Sequence, residues 1–137
     1  MNIEELRDQA FKMVALQYEQ ASDAEFDIMP VVFGIQPDDT MVLCVLHGAP
    51  PHEMLPAMIK QFDLQAFVFA CPSWVRKPEE SDDARTEAII YSIETPTHSE
   101  MWSQPLTRTP MPELGALKQA TSVKGRMTHL LHQHTRN

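Results

Sequence analysis

His47 and His52 flank the run Gly48-Ala49-Pro50-Pro51, and Glu53 follows directly. Loops between elements are common seats for metals and catalytic groups, so this stretch is the first place where chemistry could sit. The spacing His-x4-His-Glu lacks the helical H-E-x-x-H frame of a zinc protease. The plainer expectation is a solvated loop, with His52 or Glu53 making local contacts at a helix start. Cys71 with a histidine from elsewhere would make a nucleophile and base. No Gly-x-Ser-x-Gly or Cys-Gly signature surrounds it or Ser73, and a thiol inside an apolar run behaves as a small hydrophobe. Arg85 and Glu87 stand two apart, hence on one face of a strand, where they line a polar pocket or form a surface ion pair. Glu79, Glu80, Asp82 and Asp83 form an acidic run without the alternating ligands of a calcium loop.

His129, His132 and His134 crowd the C-terminal stretch as weak metal candidates. In a helix the first two would share a face. An H-x-H pair in a metal-dependent isopeptidase is followed by Ser and Asp, which do not follow here, so a solvated tail is expected. The four glycines, Gly34, Gly48, Gly115 and Gly125, compose neither a phosphate loop nor a dinucleotide fingerprint. No cofactor is expected.

The elements that must hold these residues follow from periodicity. Ile3 to about Gln20 reads as a helix with Leu6, Ala10, Val14 and Tyr18 on one face, Asn2 as its cap and Glu5 completing a capping box. Ile28–Ile35 and Met41–Leu46 read as strands around a Pro-Asp-Asp turn. The unalternated run MVLCVL points to an interior strand covered on both faces. A second helix is expected from about His52 to Phe62, with Pro56 awkward inside it. Gln65–Cys71 is the third strand, ended or bulged by Pro72 and resumed at Trp74 and Val75. Arg85–Glu94 is the fourth strand and Glu100–Arg108 the fifth, with Pro105 confining its end to an edge. Glu113–Ala120 reads as a short helix and Val123–Leu131 as a helix or a loose tail.

The fold class expected is therefore α+β. A mostly antiparallel sheet of about five strands carries two main helices, in the order α-β-β-α-β-β-β, with one crossover placing two strands parallel. Residues 1–137 form a single domain, of which 109–137 is a partly ordered extension. Cys44 and Cys71 would bridge only if their strands were neighbours.

Phe67-Val68-Phe69, Trp74, Arg85, Glu87 and Ala88 compose a strand, a Trp, a charged loop and an R-x-E-A strand. Over about thirty residues this resembles small uncharacterised α+β proteins of bacteria and phages. Where that pattern carries a Glu before the Trp, this chain has Cys71-Pro72-Ser73. The resemblance implies an α+β fold and no established activity.

Charge and composition narrow the function classes. The net charge is −8. Residues 1–103 hold 6 basic and 18 acidic side chains, whereas 104–137 hold Arg108, Lys118, Lys124, Arg126 and Arg136 against Glu113 alone. The acidic body repels a polyphosphate backbone, so nucleic acid is not the expected partner. No run reaches the roughly 18 apolar residues of a membrane span, and the N-terminal stretch has no apolar leader; the cytoplasm is the expected location. The leading expectation is a non-enzymatic accessory or interaction protein with a protein partner or self-association. Trp74, Met101, Trp102 and the Pro-rich 105–112 segment are its candidate contacts. The alternatives are a small metal-dependent or Cys/His hydrolase, and a weak nucleic-acid binder acting through the basic C-terminal stretch.

Overall fold

Asn2 caps the first helix, and Glu5 answers it side chain to side chain. The Asn2 side-chain oxygen accepts from the Glu5 backbone N–H at 2.8 Å, and its side-chain amide donates to the Glu5 carboxylate at 3.2 Å. Helix α1 runs Ile3–Glu19 and buries Leu6, Ala10, Val14 and Tyr18 along one stripe. The computed structural model describes residues 2–19, 29–46, 48, 50–75, 86–108 and 113–120. None of the helices among them is long and apolar enough to cross a membrane.

The sheet contains β1 (Val31–Ile35), β2 (Met41–Val45), β3 (Ala66–Val75), β4 (Thr86–Thr95) and β5 (His98–Thr107). Two short strands, β6 (Glu113–Leu114) and β7 (Lys118–Gln119), both pair with β5. The spatial order is β2-β1-β3-β4-β5, and every pairing is antiparallel. Because β1 opposes both β2 and β3, those two run parallel with β1 between them. Helix α2 (Pro51–Phe62) is the crossover that joins them. The α+β class and the order of the first seven elements match expectation. The sheet gains two strands where a short helix over Glu113–Ala120 was expected, because that segment satisfies its backbone on the edge of β5.

Each helix covers one face. Val31, Phe33, Ile35, Ala66, Val68, Ala70, Ile89, Tyr91 and Ile93 pack towards α1. Val32, Phe67 and Phe69 pack with Leu55, Met58 and Ile59 of α2. The strands β1 and β3 are thus apolar on both sides, which is why VVFGI and AFVFA show no alternation. Gly34 lies where α2's layer closes in: a Cβ there would stand 2.7 Å from Leu64 Cδ2, so a larger residue would force the Leu64 side chain to shift.

Helix α2 starts on Pro50 with Pro51 in its first turn and no side-chain cap. Pro56 sits on its exposed side, where water can replace the donor missing from the His52 carbonyl. Asp63, at φ 51°, closes it, and Leu64 N–H donates to the Ile59 carbonyl at 3.1 Å.

Two expectations are corrected by strand geometry. Pro72 neither ends nor bulges β3, which continues to Val75 in register with β4. Even-numbered β1 residues bond β2, as Pro30 does with Leu46 and Gln36 with Thr40, so its odd ones face β3. The β3 residues opposite them, such as Ala70, share the parity of Pro72. The missing N–H of Pro72 therefore faces the β1 side, beyond the point where β1 begins. The second correction concerns MVLCV. It is an edge strand, not an interior one: Val42 and Cys44 face α2's layer, while Met41, Leu43 and Val45 are exposed on the α1 side. Since β2 and β3 are not neighbours, Cys44 and Cys71 stand more than two strand spacings apart, beyond about 9 Å, out of disulfide reach. Both thiols are free.

Candidate functional site

Strand β5 places His98, Glu100, Trp102 and Gln104 on the α1 face, since side chains alternate along a strand. Glu100 is the hub. Its carboxylate accepts from Arg7 Nη1 at 3.3 Å, from Trp102 Nε1 at 2.8 Å and pairs with His98 Nε2 at 2.8 Å. Burial opposes its charge, but the bonds from Trp102 and His98 and the Arg7 charge together outweigh burial, and the carboxyl titrates below its usual range. With its oxygens occupied and its basicity lowered, Glu100 is a structural anion rather than a general base. Arg7 also lies 5.4 Å from the Trp102 ring centroid, and Phe11 meets the edges of Tyr91 and Trp102. The cluster fastens α1 to the β4–β5 hairpin.

Next to it, Tyr91 donates its hydroxyl proton to Gln104 Oε1 at 3.0 Å, and Gln104 Nε2 donates to the Gly115 carbonyl at 3.1 Å. Burial, with the neighbouring Tyr18 phenol adding to it, pushes the Tyr91 phenol well above its ordinary range. This is an uncharged tether from the core to the β6 segment.

The residues singled out from sequence are dispersed. Glu87 is held bidentately by Arg108, at 2.6 and 2.9 Å, on the α1 face. Cys71 lies on the opposite face, half-buried in α2's layer. Burial pushes its thiol up, with a Ser73 hydrogen bond opposing, and Sγ donates to the Pro72 carbonyl at 3.4 Å. A raised thiol is the reverse of an activated nucleophile. His52 and Glu53 are exposed on the first turn of α2, 4.0 Å apart. His47, Arg85, His129, His132 and His134 lie outside the described residues, as do the acidic run of 79–83 and the basic positions beyond 120. Among the described residues no group of three or more His, Cys, Asp or Glu could hold a metal ion.

Of the expected contact residues, Trp74 is exposed, opposite Glu87 on the α1 face. Trp102 is instead partly buried against α1 by Arg7, Phe11 and Glu100. Met101 is half-buried on the other face. Arg7, Glu100, Gln104 and Arg108 were not anticipated. The period-two run His98-x-Glu100-x-Trp102-x-Gln104 carried the signal for three polar groups on one face of β5.

The remaining candidate is the open edge of the sheet. Leu46 and Thr40 bond β1 through their backbones, so Val42 and Cys44 do likewise and Met41, Leu43 and Val45 turn their N–H and C=O groups outward. Those same three residues are exposed by 37%, 45% and 49%. Among the described residues nothing pairs with that outer edge. The strand thus offers both halves of a strand-binding surface, main-chain donors and acceptors and an apolar row beside them. Comparison with protein-family models, with curated proteins and with solved structures finds no match to this chain.

Proposed function

We propose that this chain is a non-enzymatic interaction protein that engages a protein partner by strand addition to β2. The observation that carries the reading is the coincidence, at Met41, Leu43 and Val45, of outward backbone groups with exposed apolar side chains. Native edges are ordinarily blunted by charge, proline, bulges or cover. Residues 40–46 contain no charge and no proline, and the register with β1 is unbroken from Met41 to Val45. The polar clusters support the same reading from the other side: Glu100, Glu87 and Gln104 are engaged in holding elements together.

A photo-crosslinking residue at Leu43, introduced in the producing cells, should yield a discrete adduct of higher mass. The same residue at Lys60, exposed on α2, should yield none. Equal labelling at both positions, or no adduct at Leu43, would remove the edge as the binding element.

A further inference from the structure

We propose that the occupant of the β2 edge is a second copy of this chain, paired antiparallel about a two-fold axis through Leu43. This rests on the reading of β2 as the binding edge and names the partner.

The strand is self-complementary about its centre. A two-fold axis sets each residue of one copy against its mirror position in the other. With Leu43 on the axis, Leu43 meets Leu43, and Met41 meets Val45 twice. All three outward residues of each copy then form hydrogen-bonded pairs, and each pair exchanges two N–H···O=C bonds. Sliding the register by two residues leaves one outward residue of each strand without a partner inside the strand. The side chains agree with the backbone, because the pairing lays one apolar row beside the other on the α1 side of a continuous sheet. Met29, just before β1 and of the same parity as Val31, is exposed as well.

Charge selects the antiparallel arrangement. The turn entering β2 carries Asp38 and Asp39. Asp38 is held as an anion: the Thr40 side chain and backbone N–H hydrogen-bond its carboxylate and lower its pKa. A parallel pairing would set the two acidic turns side by side. The antiparallel pairing sends them to opposite ends of the interface. There each turn lies towards Gly48 and the start of α2 in the other copy. That helix begins without a side-chain cap, so its positive end favours a nearby carboxylate. Glu53 in its first turn already answers that end, so the antiparallel choice rests on keeping the two acidic turns apart.

The experiment uses the purified full chain alone. Sedimentation equilibrium across a micromolar concentration series should show the two-copy mass emerging. Leu43→Lys and Val45→Lys, both at exposed positions, should each weaken association at least tenfold with unchanged near-ultraviolet circular dichroism. Oxidation should link Leu43→Cys to itself, because Cα atoms of a hydrogen-bonded pair stand about 5.5 Å apart, within disulfide range. Met41→Cys should not link to itself, since the two positions would lie four residues apart along the strands, about 13 Å. Wild type controls for the native thiols. A one-copy mass at every concentration would overturn the proposal, and so would linkage at Met41→Cys in place of Leu43→Cys. A Leu43 photo-adduct with a different chain, found beside a one-copy mass, would overturn the second copy while sparing the edge as a binding element.

Discussion

The two edges of the sheet are finished in opposite ways. At β5, two short strands close the ladder: Leu106 pairs with Leu114, Ser103 with Lys118, Gly115 N–H donates to the Pro105 carbonyl at 2.8 Å and Ala120 N–H to the Met101 carbonyl at 2.7 Å. Pro105 turns its missing donor to the same outer side as that carbonyl, so the β4 ladder is intact. At β2, among the described residues, no strand pairs with the outer edge of an uncharged strand. Both ends belong to one antiparallel sheet, so its architecture does not require the difference. Among the described residues, the chain's own strands cover one edge and the other presents an apolar row, which is the contrast the proposed strand addition rests on.

The largest expected effect tests how thin the open region is. Phe33 and Leu43 are cross-strand neighbours on the same face, yet Phe33 is 1% exposed and Leu43 45%. Phe33→Ala removes a large side chain from the α1 layer and should cost about 3–5 kcal/mol, read as a lower midpoint in urea. A cost below about 1 kcal/mol would mean that the core thins out at β1, and the contrast between adjacent strands would vanish.

This contrast was only half legible in the sequence. The apolar stripe of α1, the Asn2–Glu5 cap and the hairpin turn at Pro37–Thr40 are local devices, and local spacing reports them. The runs VVFGI and MVLCV are equally apolar, however, and nothing within either says which one lies inside the sheet. That is decided by α2, which carries the chain over β1 and sets β3 on its far side. Burial on both faces was therefore expected of β2 and belongs to β1. Likewise the Glu113–Ala120 segment became edge strands because its partner is β5, a contact remote from its own helical spacing. Residue type marks the chemistry-bearing candidates. Type alone does not reveal that Glu87 would be taken up by Arg108, or that Cys71 and Glu87 would fall on opposite faces.

The closed side makes a smaller, pH-dependent prediction. Glu100 binds Arg7, Trp102 and His98 more strongly as a carboxylate, so its folded-state pKa lies below the ordinary 4.5. A depressed carboxyl contributes stability that is fully present above its unfolded pKa and is lost as pH falls through the folded one. Glu100→Gln should therefore cost about 1 kcal/mol near neutral pH. The gap between variant and wild type should shrink below pH 4.5. Urea midpoints measured between pH 7 and pH 3 would show it. A gap that persists unchanged at pH 3 would mean that Glu100 acts through packing and not through its charge.

The smallest expected effect is the most discriminating. Leu43→Lys, assayed at concentrations where the chain is a single copy, should change the unfolding free energy by no more than about 0.5 kcal/mol, as for an exposed residue away from special features. The lysine stem can lie along the apolar row while its ammonium stays in water. The same substitution acts strongly on association, because it sets a charge at the centre of an apolar row and, on a two-fold axis, against its own copy. Folding and association thus separate at one side chain. A core residue would lose stability together with association, and a bland surface residue would change neither. If Leu43→Lys lowers the single-copy stability by 2 kcal/mol or more, Leu43 is part of the monomer's own packing, and the edge of β2 is covered in a way that leaves no strand for a partner to join.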